Sequence, residues 1–398
     1  MKLAVVVPRY GVEVVGGCEN AVRELSEWLV QTTGVEVEVL TTTALDSTTW
    51  AEHFPAGTTL EAGVTVQRFR VTRGRSRDAD TRGAPLLARA KRLSIAEQQE
   101  WLALQGPTAP ALVDAVAATD ADVLSIHPYL FWPDVAAHAA ARVPVVFHPY
   151  AHDEAPLRLP IFAPLFESSA GLVFQASAER RLCERRFAIA TRRAITLGLG
   201  VVAGAGTVPE ARAAVELGDR PYLLCLGRVD DGKGTRLLFD WFAAYKERRP
   251  GPLALVCAGQ VVHPLPPHPD VLVAGLIDEP TKWGLLRGAT ALVSPSANES
   301  FSLVVLEAWV AGVPVVVNGR CAVTREHCER SGGGFWFDGY AQFETELDRL
   351  YADDDLRSEL AARGAAYVER SYRWPALTER YEAFLDLVVT RVGSAPWV

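Results

Sequence analysis

Two acidic side chains stand eight residues apart in the stretch Glu299-Ser300-Phe301-Ser302-Leu303-Val304-Val305-Leu306-Glu307. Glu307 falls inside an otherwise apolar helical run, where an ionised carboxylate needs a partner. The hydroxyl donors of a sugar would satisfy it, and so would an ion pair with a neighbouring arginine. With Glu299 just before the helix and Glu307 inside it, both can address one extended ligand. Upstream, Arg228 and Lys233 flank a glycine-containing turn, Gly227 to Gly234, ahead of another helix. A guanidinium supplies bidentate donors and an ammonium a point charge, so together they suit a diphosphate.

Near the start, Gly16 and Gly17 open a helix after Arg9-Tyr10-Gly11. Free N–H groups at a helix N-terminus suit a phosphate, and glycine lets backbone amides approach closely. The spacing is not G-x-G-x-x-G, and a plain helix-initiating turn accounts for the same residues. His148-Pro149-Tyr150-Ala151-His152-Asp153-Glu154 gathers two imidazoles and two carboxylates, and His127 sits in a similar place. Such groups can ligate zinc or iron. There is no H-E-x-x-H spacing, however, and Pro149 and Pro156 oppose a helical pair. Contacts to a substrate therefore rank above a metal. The acidic patterns Asp78/Asp80, Asp120/Asp122 and Asp353–Asp355 read as solvated, and no essential metal is expected.

The elements that must position these groups follow from hydrophobic pattern. Leu3–Val7, Val35–Thr41, Val64–Arg70, Val123–His127, Pro144–His148 and Leu172–Gln175 read as strands, with helices such as Cys18–Thr32, Pro133–Ala141 and Ser177–Phe187 between most of them. Buried parallel strands are continuously apolar rather than alternating. After a Gly- and Ala-rich connection around Leu197–Gly218 the rhythm restarts. Strands Tyr222–Leu226, Leu253–Ala258, Val271–Ala274, Ala291–Ser294 and Val313–Val317 alternate with helices Gly234–Arg248, Glu279–Arg287 and Leu303–Ala311. The fold class is α/β: two Rossmann-like, doubly wound parallel-sheet domains facing a central cleft, with C-terminal helices over 341–389. The expected boundaries are 1–200, 201–375 and a C-terminal helix 376–398 that returns to the N-terminal domain. Ligands bind beyond the carboxyl ends of such strands, which is where the groups above fall.

Composition limits the alternatives. A chain of 398 residues, 49% hydrophobic and 22% charged, is an ordinary globular sequence of two to three domains. A net charge of −8 argues against a nucleic-acid binder. Six cysteines without a C-x-x-C pair argue against a disulfide scaffold or structural zinc. The opening residues show no export signal and no run is long enough to span a membrane, so a cytoplasmic protein is expected. Two arginine-rich segments, Arg68–Arg92 and Arg180–Arg193, read either as solvated surface or as peripheral contact with an anionic membrane.

The constellation as a whole, Arg228-x4-Lys233 followed by Glu299-x7-Glu307 and an Ala-Gly-x-Pro ending, resembles the retaining glycosyltransferases of family 4, which have the GT-B fold. The loop from Arg9 to Asn20 resembles the glycine loop of the same family. That resemblance implies transfer of a hexose-type sugar from a nucleotide diphosphate sugar, UDP- or GDP-linked, to a hydroxyl acceptor taken by the N-terminal domain, with retention and without a metal. It implies that Arg228 and Lys233 grip the diphosphate, that Glu307 binds the donor ribose and that Glu299 binds the transferred sugar. Backbone amides near Ser300, Phe301, Ser302 and Leu303, and at Gly16 and Gly17, would contact phosphate. The family's N-domain histidine corresponds to His148 or His152, and the residues do not choose between them. Where the family often has Asn-Gly-Val-Asp entering the second domain, this chain has Leu197-Gly198-Leu199-Gly200-Val201. Other readings of the same halves are a non-catalytic sugar or nucleotide binder, a hydrolase or epimerase of nucleotide sugars, and a nicotinamide oxidoreductase; the missing G-x-G-x-x-G weighs against the last.

Overall fold

The computed structural model describes residues 1–189 and 192–392. It divides into two compact units, one of Met1–Leu199 with the helix Trp374–Val392, the other Gly200–Arg373. Residues 393–398 of the expected C-terminal helix lie outside the described residues.

The first unit carries strands β1 (Lys2–Val6), β2 (Glu36–Thr42), β3 (Gly57–Glu61), β4 (Val64–Phe69), β5 (Val123–Ile126), β6 (Val145–Phe147), β7 (Gly171–Phe174) and β8 (Ala194–Thr196). They form one sheet in the order β3-β4-β2-β1-β5-β6-β7-β8. All pairings are parallel except β3 with β4. The inner strands are buried on both faces, as a helix-covered parallel sheet requires. Strand β3 departs from the expected all-parallel sheet. It is joined to β4 by Ala62 and Gly63, both at positive φ, the backbone that a two-residue hairpin needs.

The helix Trp374–Val392 completes this unit's core. Leu377, Tyr381, Phe384, Leu385 and Val388 are buried in one cluster with Val5, Val39 and Val173. Trp374 stacks on Trp28, and a Cβ at Gly171 would lie 2.9 Å from the Phe384 ring. Gly171 therefore gives the helix its seat.

The second unit carries β9 (Tyr222–Leu226), β10 (Ala254–Ala258), β11 (Val271–Gly275), β12 (Ala291–Ser294), β13 (Val315–Asn318) and β14 (Gly334–Phe337). Their order is β11-β10-β9-β12-β13-β14, all parallel. The connection around Leu197–Gly218, read as irregular, contains a short helix, Val208–Ala214, which Thr207 caps through its side chain. Strands β9 and β12 are neighbours at the centre of the sheet, so the loops leaving their carboxyl ends are brought side by side.

Candidate functional site

In the second unit, the turn after β9 is organised by Asp230, which is 7% exposed. Its Oδ1 accepts the Lys233 amide at 2.6 Å, its carbonyl accepts Thr235 Oγ1 at 2.8 Å, and its Oδ2 faces Arg228 Nε at 3.2 Å. An aspartate bonding the backbone a few residues on is a recurrent turn device. The turn closes at Gly234, with φ +75, where a Cβ would lie 2.7 Å from the Pro295 carbonyl oxygen. The backbone of this turn thus rests on the loop after β12. That contact delivers Lys233 Nζ to Glu299 Oε1 at 2.7 Å. Arg228 keeps more than half of its side chain in solvent.

Beyond Glu299, Phe301 is buried and its carbonyl accepts His327 Nε2 at 3.0 Å. Burial pushes the His327 imidazole down to about 4, so at neutral pH it is uncharged and its Nδ1 faces the Tyr367 hydroxyl at 3.2 Å. Ser302 is held at φ 68, ψ 67, unusual for a non-glycine residue. Its hydroxyl is buried without a partner at the mouth of the helix Leu303–Val310. Ser300 and Leu303 flank it, partly buried.

The orientation of that helix follows from Trp309. The ring is fully buried, its Nε1 donates to the Gly333 carbonyl at 2.8 Å, and a Cβ at Gly364 would lie 2.2 Å from it. Two residues along a helix turn it by about 200°. Burying Trp309 therefore sends Glu307 to the other side, where its Oε1 meets Lys282 Nζ at 2.8 Å. Lys282 belongs to the helix Glu279–Gly288 and also meets Glu279 at 2.8 Å. Burial alone would push its ammonium down, but Glu307 and Glu279 outweigh that and hold it above the usual lysine value. The ion-pair reading of Glu307 is thus realised with a lysine rather than an arginine. Lys282 and Asp230 were not among the residues singled out by sequence. Asp230 has a visible signal, its place in a Gly-bounded turn; Lys282 has none, because a surface-type residue on a neighbouring helix meets Glu307 only through the fold.

In the first unit, Gly16 has extended backbone, φ 170, and owes its identity to space. A Cβ there would lie 2.1 Å from Glu19 Oε2. Glu19 and Arg9, both nearly buried, form an ion pair, and Arg9 also donates to the Leu45 carbonyl at 3.1 Å. The glycine loop is therefore latched to the first helix turn. Gly17 has open space around it.

The two candidate histidines have different surroundings. His148 is completely buried; its Nε2 meets the Tyr381 hydroxyl at 2.9 Å and its ring lies 4.0 Å, centroid to centroid, from that of His127. Ser125 Oγ bridges His127 Nε2 at 2.7 Å and Tyr381 at 3.1 Å. Burial pushes His127 down to about 3, and burial with the His127 neighbour pushes His148 well down. Both are neutral. His152 is part-exposed, with its Nδ1 3.3 Å from Glu154, which also accepts the Tyr129 hydroxyl at 2.5 Å. Glu179 ties this loop down. Its carboxylate accepts the Ala151 amide at 2.7 Å and the Gln175 amide at 2.6 Å, and burial pushes it up to about 7.

The arginine-rich segments are laced with carboxylates. Arg68 pairs with Glu61, Arg70 with Glu52, Arg75 with Asp80, Arg82 with Asp78 and Glu100, Arg89 with Glu97, Arg180 with Glu184 and Arg186 with Asp153. Among the described residues no group of three or more His, Cys, Asp or Glu is gathered around a common point, and no helix is long and apolar enough to cross a membrane.

Residues 208–367 match the family model described as glycosyl transferases group 1. Curated relatives include the D-inositol 3-phosphate glycosyltransferases of Arthrobacter sp., 30% identical over 44% of this chain and 46% of that protein, and of Salinispora tropica, 33% identical over 41% and 38%. The chain thus matches less than half the length of these relatives. Among solved structures, a sucrose-phosphate synthase from Thermosynechococcus elongatus aligns over 98% of this chain and 99% of its own, with a TM-score of 0.68 and 16% identity. Anabaena HepE in complex with UDP and glucose aligns over 97% and 99%, with a TM-score of 0.68 and 14% identity. At such identities the likeness speaks for the fold, and the expected GT-B architecture is borne out. Residues 208–367 thus match the group 1 glycosyl transferases, within a chain that has the GT-B fold.

Proposed function

We propose that this protein transfers a hexose-type sugar from a nucleotide diphosphate sugar to an alcohol acceptor, with retention and without a metal ion. In balance, the bond from the anomeric carbon to the diphosphate breaks, a bond from the acceptor oxygen to that carbon forms, and one proton is released. The observation that carries the reading is the pairing of Lys233 with Glu299 on the adjacent loops that follow β9 and β12. A cation and a carboxylate held at one point suit a ligand that is anionic at one end and hydroxylated at the other.

Arg228 and Lys233 take the diphosphate and stabilise the charge that develops as it leaves. Glu299 takes hydroxyls of the transferred sugar, and Glu307, oriented by Lys282, takes those of the ribose. The amides from Ser300 to Leu303 offer donors to phosphate, with the unpaired Ser302 hydroxyl beside them. In the first unit Gly16 and Gly17 leave amides for an anionic group. His152 rather than the enclosed His148 is the imidazole within reach of a ligand there. The solved neighbour containing UDP favours a uracil nucleotide. The relatives named for D-inositol 3-phosphate favour a small hydroxylated acceptor.

A thermal-shift panel of nucleoside diphosphates and their sugars tests the donor, because a ligand of the folded state raises its melting point by mass action. One family of nucleotides should raise it and the others should not. Turnover of the nucleotide sugar that binds should then persist in excess chelator. Absence of any nucleotide shift would overturn the reading, and activity recovered only with added magnesium would overturn the metal-free part.

A further inference from the structure

A buried imidazole of the second unit bonds the loop after β12 from the side of the core. His327 stands on the helix Ala322–Ser331, which follows β13, and is 3% exposed. Four rings enclose it edge to face: Phe301 at 5.1 Å between centroids, Tyr367 at 5.9 Å, Tyr372 at 6.0 Å and Trp309 at 6.5 Å. A polar group among rings is costly unless its hydrogen bonds are made. Burial keeps the ring uncharged at neutral pH, so it carries one donor and one acceptor. The Phe301 carbonyl can only accept, so Nε2 holds the proton and Nδ1 accepts from the Tyr367 hydroxyl. The Tyr372 hydroxyl, 2.9 Å from that of Tyr367, extends the chain. Tautomer and ring orientation are both fixed.

The consequence falls on the next peptide group. In a trans peptide the carbonyl of one residue and the N–H of the next lie in one plane and point opposite ways. With the Phe301 carbonyl turned to His327, the Ser302 amide is turned away from it. Ser302 is left-handed, φ 68 and ψ 67, directly before the right-handed helix Leu303–Val310. A residue other than glycine keeps such backbone only where its surroundings impose it, and the grip on the preceding carbonyl does so. A change of hand between neighbours turns successive amides to one side, a concavity for an anion. The first amides of a helix also have no acceptor within it. Two residues before Phe301, Glu299 meets Lys233.

We propose that His327 is a positioning residue for the donor diphosphate: by holding the Phe301 carbonyl it presents the Ser302 and Leu303 amides to the β-phosphate, without touching the ligand itself. The proposal rests on the transferase reading above and adds to it the group that shapes the phosphate loop.

Glutamine and asparagine separate positioning from packing. Both are polar amides, but glutamine can place an N–H where the imidazole Nε2 stands, while asparagine reaches only to the place of Nδ1. Calorimetric titration of the full chain with UDP, GDP and ADP, and with the matching monophosphates, tests this. The diphosphate that binds the parent should bind His327→Gln within about threefold, and His327→Asn and His327→Leu about tenfold more weakly. The matching monophosphate should lose less than about twofold in every variant. If His327→Leu does not fold, the glutamine and asparagine variants decide. Unchanged diphosphate affinity in His327→Asn, a glutamine variant as weak as the asparagine one, or an equal loss for the monophosphate would overturn the proposal while the transferase reading stands. A parent that binds no nucleoside diphosphate would sink that reading and this proposal with it.

Discussion

The two units solve the same problem, polar groups beyond the ends of apolar strands, in opposite ways. In the second unit the Glu299 and Glu307 side chains keep 15% and 14% of their surface in solvent, and each is matched by a lysine. In the first unit His127, His148 and Tyr381 are sealed among apolar residues, and burial keeps the imidazoles neutral. A ligand can reach a part-exposed ion pair and take the place of one partner, whereas simply removing a partner would leave a half-buried charge unmatched. The buried network offers no exposed atom of that kind, and its hydrogen bonds tie β5 and the residues after it and β6 to the last helix. Polarity near a strand end is therefore no guide to function until its access is known.

The comparison can be broken first at Lys233. If it is the leaving-group cation, Lys233→Ala should lower turnover roughly 10²–10³-fold with an unchanged melting temperature; a loss under threefold would reduce the pair to surface decoration. Next, Glu307→Gln keeps the shape but removes the charge that holds Lys282, and should weaken nucleotide binding about 10–100-fold, ~1.4–2.8 kcal/mol by calorimetry. Third, Gly234→Ala should cost roughly 1–3 kcal/mol in urea unfolding because its φ is left-handed. Gly17→Ala, with open space around it, should cost nothing measurable.

The smallest step concerns the sealed network. As pH falls below 6.5, unfolded histidines take up protons while folded His127 does not until about 3, and His148 is likewise held back. Their contribution is therefore complete above pH 6.5 and declines below it, by ~1.4 kcal/mol per pH unit for each imidazole. Glu179 acts the other way. Its folded value of about 7 lies above the ordinary 4.5, so its contribution is lost as pH rises through that window. Replacing both histidines by glutamine should flatten the fall in stability between pH 6.5 and 5, and Glu179→Gln should steepen it. A chain with equal stability at both pH values in all three forms would show that the imidazoles are not sealed.

The strands that matter most were legible because burial on both faces demands unbroken apolar runs: Tyr222–Leu226 and Ala291–Ser294 agree with β9 and β12 to the residue. What escaped had no such demand. Strand β3, Gly-Thr-Thr-Leu-Glu, is largely exposed, β8 has three residues, and β14 follows a run of glycines that reads as loop. In the candidate site, Arg228, Lys233, Glu299 and Glu307 were legible as candidates because charge in fixed spacing stands out against apolar strands. Lys282 was not, since it acquires its partner only when the helix Glu279–Gly288 meets the helix of Glu307. The pair His148 and His152 could not be separated without burial, four residues being too few for pattern alone to assign one inward and one outward.

The seat that Gly171 offers Phe384 has a consequence for how the chain is made. The first half of the polypeptide leaves the ribosome with a gap where Tyr381, Phe384 and Leu385 belong. At ~5–20 residues per second the second unit, Gly200–Arg373, occupies roughly ten to thirty-five seconds of synthesis before that plug emerges. During that interval an unfinished apolar surface waits in the cell, so truncation near the end of translation should expose the very beginning of the protein to proteases, while the later-made middle stays intact.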